Sequence, residues 1–253
     1  MFVVRVDGQQ KIEVYDAKIC TAKRHITVPG LGSPSWCNGL AACPYNNCLY
    51  ASDIRNNGVH RVELSGSNVV MKLSVADDPR GLSVNSEHNL IVVSEGERKL
   101  QIFTTHGTLL QNIQLKTDIK YPCHAVQLPT TSQFLVSHGY RDSLHRVCLV
   151  EVDGAVVCSY GGQEVSELTQ LYVPSGLAVD GEGRVLVADM YYNRLMVIDQ
   201  SLSSAHEMSV NVDGGLDRPY SLWYDQSRRR LYIGEDYGGR VIVVDNLKDF
   251  SNI

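Results

Sequence analysis

From Pro174 the chain runs Pro-Ser-Gly-Leu-Ala-Val and breaks at Asp-Gly-Glu-Gly. It resumes as Arg184-Val-Leu-Val-Ala-Asp189, breaks at Met-Tyr-Tyr-Asn, and resumes as Arg194-Leu-Met-Val-Ile-Asp199. A fourth run follows at His206-Glu-Met-Ser-Val210. Short runs of alternating or β-branched apolar residues, punctuated by Gly, Pro, Asn and Asp, predict β-strands joined by tight turns. No stretch shows the three-to-four residue spacing of an amphipathic helix.

The same order recurs. From Pro219 it reads Tyr220-Ser-Leu-Trp-Tyr, Arg230-Leu-Tyr-Ile-Gly-Glu235 and Arg240-Val-Ile-Val-Val-Asp245. From Pro79 it reads Arg80-Gly-Leu-Ser-Val, Leu90-Ile-Val-Val-Ser-Glu95 and Lys99-Leu-Gln-Ile-Phe103. Looser copies begin at Gly39 and Ala125, and a partial one opens the chain with Phe2-Val-Val-Arg-Val6, Lys11-Ile-Glu-Val-Tyr15 and His25-Ile-Thr-Val28. Gly39, Gly81, Ala125, Gly176 and Ser221 align at intervals of 42, 44, 51 and 45 residues, the excess of the long unit falling around Gly161 to Thr169. A lone four-stranded sheet cannot bury both faces, so repetition at this period predicts blades packed side by side. The expectation is an all-β chain, a six-bladed β-propeller of four-stranded antiparallel blades with the first and last incomplete, as one domain over 1–253.

Composition narrows the function classes. The chain has 253 residues, 43% of them hydrophobic and 20% charged, with a formal charge of -5. This is too apolar for a disordered chain, and a mildly acidic balance argues against generic nucleic-acid binding. No run approaches the length of a membrane span, so no membrane association is expected. The N-terminus has no signal-peptide pattern, no Asn-x-Ser/Thr sequon occurs, and the seven cysteines are an odd count. Together these predict a reducing, cytoplasmic setting with plain thiols. Cys43 and Cys48 flank the turn Pro44–Asn47, so a cross-hairpin disulfide is geometrically conceivable.

The unit P-x-G-L-x-V, turn, L-x-V-A-D, turn, N-R-L-x-V resembles the NHL repeat. Pro174 to Asp199 carries the likeness best, followed by Pro79 to Phe103 and Pro219 to Asp245. The resemblance implies a binding platform. Many such propellers are the substrate- or RNA-recruiting domain of tripartite-motif ubiquitin ligases, and a related lineage comprises metal-dependent lyases and lactonases. The RING, B-box and coiled-coil elements of the ligases do not occur in this sequence.

Asp53, Glu95, His138, Asp189 and Glu235 close the second run of five units. Converging oxygens suit a hard cation, but Lys99, Arg194 and Arg240 stand four or five residues after three of the acids. Pairing within each unit is therefore the expected role, with no metal and no cofactor. His124 and His138 belong to one unit, and His60 and His145 open third runs, but no spacing assembles a zinc or copper set. No G-x-S-x-G elbow or phosphate-binding loop is present, so a non-enzyme is expected.

The loops entering each unit, with those between its second and third runs, hold ten acids against six bases (Arg55, Arg80, Arg98, Lys120, Arg141 and Arg218). That balance disfavours RNA unless Arg55, Arg80 and Arg98 cluster. The same loops are rich in aromatics, the residue types that anchor protein interfaces alongside Arg. The predicted contact set for a protein or peptide partner is Trp36, Arg55, Tyr121, His138, Tyr140, Arg141, Tyr191, Tyr192, Arg218 and Tyr237.

Overall fold

The computed structural model describes residues 2–6, 11–16, 21–31, 39–65, 70–141, 143–162, 170–236, 239–245 and 247, with backbone alone at 2–6, 11, 22 and 23. It divides into two compact units, Met1–Lys116 and Thr117–Ile253. The first unit holds three sheets. These are β1 (Phe2–Val6), β2 (Lys11–Tyr15) and β3 (Ala22–Thr27); then β4 (Leu40–Cys43), β5 (Cys48–Asp53), β6 (Gly58–Glu63) and β7 (Val70–Ser74); then β8 (Pro79–Val84), β9 (Leu90–Ser94), β10 (Lys99–Phe103) and β11 (Leu109–Gln114). The second unit holds three more. These are β12 (Pro122–Gln127), β13 (Phe134–His138), β14 (Arg146–Val150) and β15 (Val156–Gly161); then β16 (Pro174–Val179), β17 (Val185–Asp189), β18 (Arg194–Ile198) and β19 (Ala205–Met208); then β20 (Pro219–Asp225), β21 (Arg230–Glu235) and β22 (Val241–Val244).

Every sheet is an antiparallel meander of consecutive strands, as in the blades of a β-propeller. The expectation of six blades is corrected. Blades built on the repeat number five, and only four of them have four strands among the described residues. The sheet β1–β3 has three strands and no described counterpart of the first strand that the repeat provides elsewhere.

The repeat's sequence follows from its packing. Second strands β5, β9, β13 and β17 are buried along their whole length. Enclosed on both faces, they need unbroken apolar runs such as Leu90-Ile-Val-Val rather than an alternating pattern. First strands lie beside one another, β4 against β8, and β12 against β16 against β20. That approach explains the aligned glycines. A Cβ on Gly39 would stand 2.3 Å from the Arg80 carbonyl oxygen, and one on Gly176 would stand 2.6 Å from that of Tyr220. Buried serines add cross-links, Ser137 Oγ of the second strand β13 donating to the Ser175 carbonyl of β16 (2.5 Å) and Ser175 Oγ to that of Pro219 in β20 (3.2 Å). Cys43 and Cys48 face each other across the β4–β5 hairpin as buried free thiols.

Candidate functional site

The position that closes each second strand has a structural job. In β17, Asp189 is buried, stands in register with Arg194, and takes its Nε–H at 2.8 Å. Its other oxygen accepts the Tyr172 N–H at 2.6 Å, fastening the loop that enters β16. Burial pushes this carboxyl up to about 6, against the pull of the Tyr172 N–H and Arg194. In β21, Glu235 repeats the arrangement, receiving Arg240 at 2.7 Å and the Asp217 N–H at 2.8 Å. Tyr172 and Asp217 each lie two residues before the proline that opens the first strand.

Two of the expected members differ. Register puts Ser94, not Glu95, opposite Lys99 and Pro79, so Ser94 is the true counterpart of Asp189. Glu95 lies one residue into the turn and pairs with Arg80 at 2.9 Å, while Lys99 pairs with Glu97. Asp53 shows a different set of partners. It takes His60 Nε2 at 3.1 Å and Asn56 Nδ2 at 2.7 Å, all inside the β5–β6 turn region.

His138 occupies the same position in β13 and is fully buried, with Nε2 3.4 Å from the Cys148 thiol. Burial, helped by the nearby Arg146 charge, holds its imidazole down to about 4, so it is neutral at pH 7. It therefore cannot touch a partner, which corrects its place in the contact set. Arg146, in register with His138, turns instead to Asp118 at 2.8 Å. Among the described residues no group of three or more His, Cys, Asp and Glu could hold a metal ion.

The frame presents a surface in the second unit. The residue before each first-strand proline is left-handed: Tyr121 (φ 54°), Val173 (61°) and Arg218 (47°) in this unit, and Asp78 (56°) in the first. Such backbone is strained for residues with a Cβ, most of all for β-branched Val173. It is held by hydrogen bonds from the preceding sheet's turn, Val173 N–H to His145 Nδ1 (3.3 Å) and Arg218 N–H to Asn193 Oδ1 (2.8 Å). The Met190–Tyr192 3₁₀ turn is fastened in the same way, with the Tyr191 N–H donating to the Tyr172 carbonyl at 3.1 Å.

These tethers bring together a chain of rings. Tyr121 meets Tyr140 edge-on at 6.1 Å, and Tyr172 touches Tyr191 at 5.1 Å and Tyr192 at 5.5 Å. Burial and the neighbouring Tyr140 phenol push the Tyr191 phenol up. Three guanidinium groups cover rings: Arg141 on Tyr140 (5.5 Å), Arg218 on Tyr191 (5.4 Å) and Arg194 on Tyr192 (4.7 Å). Tyr121, Tyr140, Tyr172 and Tyr192 are exposed.

Of the predicted contact set, Tyr121, Tyr140, Arg141, Tyr191, Tyr192 and Arg218 thus share this surface. Arg55 lies in the first unit, exposed on the Ile54–Asn56 turn. Trp36 and Tyr237 lie outside the described residues. The predicted contact set omits Tyr172 and His145, which stack at 5.2 Å. The offset of two residues before the proline, shared by Tyr172 with Asp77, Lys120 and Asp217, is the signal that marks Tyr172.

Known proteins bear on the fold more than on the surface. No family model matches the chain. Protein brain tumor of Drosophila melanogaster is 23% identical over 138 residues, 53% of this chain and 12% of its own length, so this chain spans about an eighth of that relative. Among solved structures, a nidogen/laminin complex covers 96% of this chain and 88% of its own, at 18% identity and TM-score 0.72. Hydrazine synthase of Kuenenia stuttgartiensis covers 95% and 90%, at 13% identity and TM-score 0.67. A chain of a mitotic checkpoint complex covers 95% and 72%, at 13% identity and TM-score 0.63. These likenesses establish an all-β propeller of antiparallel sheets.

Proposed function

We propose that the chain is a non-catalytic interaction scaffold of NHL type that binds a protein or peptide partner through the tyrosine–arginine surface of its second unit. One observation carries the reading. Five tyrosines and three arginines from separate loops form a continuous, partly exposed surface, while the acids beneath it are occupied in holding those loops. Rings clamped by stacking and backbone tethers lose little freedom on binding, and Tyr and Arg supply most hot spots in protein interfaces. Two of the structural relatives come from complexes with protein partners, which fits the same use of the fold.

RNA is the weaker reading. Tyrosine rings and arginines can stack bases, but Arg80 is held between Asp78 and Glu95, and Asp236, pushed up by burial, faces the Arg218 charge. The test uses a peptide selected by display on the immobilised chain, titrated against parent and variants, beside an oligouridine strand. Tyr140→Ala and Tyr172→Ala should each weaken peptide binding by about 2 kcal/mol or more, without change in melting. Unchanged affinity in both would overturn the reading. Tighter binding of oligouridine than of any selected peptide, lost in the same variants, would replace it with RNA.

A further inference from the structure

The three sheets of the second unit present the same loop positions with different side chains. Two residues before the first-strand proline stand Lys120, Tyr172 and Asp217, one to each sheet. The N–H groups of Tyr172 and Asp217 fix them there, through Asp189 and Glu235. The loop of Lys120 is held at the next residue, where the Tyr121 carbonyl accepts the Gly139 N–H at 3.3 Å. One residue past the position that closes the second strand come Gly139, Met190 and Asp236, and three residues past it come Arg141 and Tyr192. Equivalent positions thus run from cationic in β12–β15, through aromatic in β16–β19, to acidic in β20–β22.

Neither end has its charge cancelled within the chain. Lys120 and Arg141 are exposed, and neither has an ion-pair partner among the described residues. The acid of the same loop, Asp118, is taken by Arg146 at 2.8 Å. At the other end the Asp236 N–H donates to the Arg218 carbonyl at 3.0 Å, which sets Asp236 beside Asp217 and Arg218. Two acids there share one arginine, because Glu235 and Arg240 pair with each other at 2.7 Å. Burial and the Asp217 charge push the Asp236 carboxyl up against the pull of Arg218.

The two ends lie within reach of one short segment. Arg141 covers Tyr140, Arg218 covers Tyr191, and these two rings are neighbours, a span of roughly five extended residues. A guest of uniform charge is attracted at one end and repelled at the other, whereas a guest of opposite terminal charges is attracted at both. We infer that the surface takes an extended protein segment that is acidic at one end and basic at the other. Its acidic residue lies at Lys120 and Arg141, its basic residue at Asp217 and Asp236, and the tyrosines grip what is between. The inference rests on this surface being the partner site, and adds the partner's chemistry and its direction.

The probes are peptides selected from a random display library on the full chain, titrated against the parent, Tyr172→Ala, Arg141→Glu and Asp217→Lys. The selected peptides should carry Asp or Glu toward one end and Lys or Arg toward the other. Arg141→Glu and Asp217→Lys should each weaken them about fivefold, since an exposed attraction becomes a repulsion. Changing the peptide's acid to lysine should restore binding to Arg141→Glu and weaken it further in Asp217→Lys; changing its base to glutamate should do the reverse. Lys120→Glu and Asp236→Asn replace either chain variant whose melting shows loss of fold. Affinity lost in Tyr172→Ala but unchanged in both charge variants would overturn the polarity and leave the surface as the partner site. Affinity unchanged in Tyr172→Ala and Tyr140→Ala would overturn both.

Discussion

The sheets β12–β15 and β16–β19 solve one problem in two ways. At the end of β17 stands the carboxylate of Asp189, at the end of β13 the neutral imidazole of His138, and each has an arginine in register, Arg194 or Arg146. In the first case the ion pair closes inside the sheet and also holds the Tyr172 loop. In the second the arginine reaches out to Asp118 in the entering loop, and the position left behind is filled by an uncharged ring against Cys148. The blade thus needs its arginine matched and its entering loop held, but it does not need an acid at that position.

The comparison breaks most sharply at the arginines. Arg194→Ala strands a fully buried carboxylate, so denaturant unfolding should show a loss of about 3–5 kcal/mol. Arg146→Ala leaves only Asp118, which is half exposed, and should cost about 1 kcal/mol or less. Equal losses in the two variants would contradict the different roles given to the two pairs.

The two sheets should also respond to pH in opposite senses. His138 is held at about 4, below its ordinary 6.5, so its contribution is present above pH 6.5 and is lost as pH falls through 4. Asp189 is raised to about 6, above its ordinary 3.8, so its contribution is present below pH 3.8 and is lost as pH rises through 6. Each amounts to roughly 3 kcal/mol, so they offset one another between pH 4 and 6. Unfolding free energies across that window should fall with rising pH in His138→Gln relative to the parent, and fall with falling pH in Asp189→Asn. Variant curves parallel to the parent would refute both assignments.

Much of this was legible in the residues. Pro174 to Asp199 announces three strands and their turns, and Arg194 and Arg240 name the partners of Asp189 and Glu235. Glu95 misleads because Ser-Glu places an acid one residue past the true position, and only strand register reveals that Ser94 holds it. Likewise, a histidine in place of an acid reads as a surface contact until burial shows it enclosed. Tyr172 escapes because it ends a long connection, between β15 and β16, and His145, just before β14, because it belongs to a looser copy of the repeat. The blade count fails at β1–β3, whose runs look like strands but have no described counterpart of the first strand that opens the other units. The repeat already groups loops as far apart as Tyr121 and Arg218 into one contact set; what it does not convey is which rings and guanidinium groups touch, such as Tyr172 on Tyr191 and Arg218 on Tyr191.

The central claim is that the tyrosine–arginine face of the second unit, and not another surface, receives the partner. The most direct test is ring-labelled tyrosine NMR of the chain, titrated with a display-selected peptide. The account predicts that the ring signals of Tyr121, Tyr140, Tyr172, Tyr191 and Tyr192 move together to one saturation point, while Tyr45, Tyr50 and Tyr232 stay in place. Saturable shifts at Tyr45 or Tyr232 with the five unmoved would contradict it.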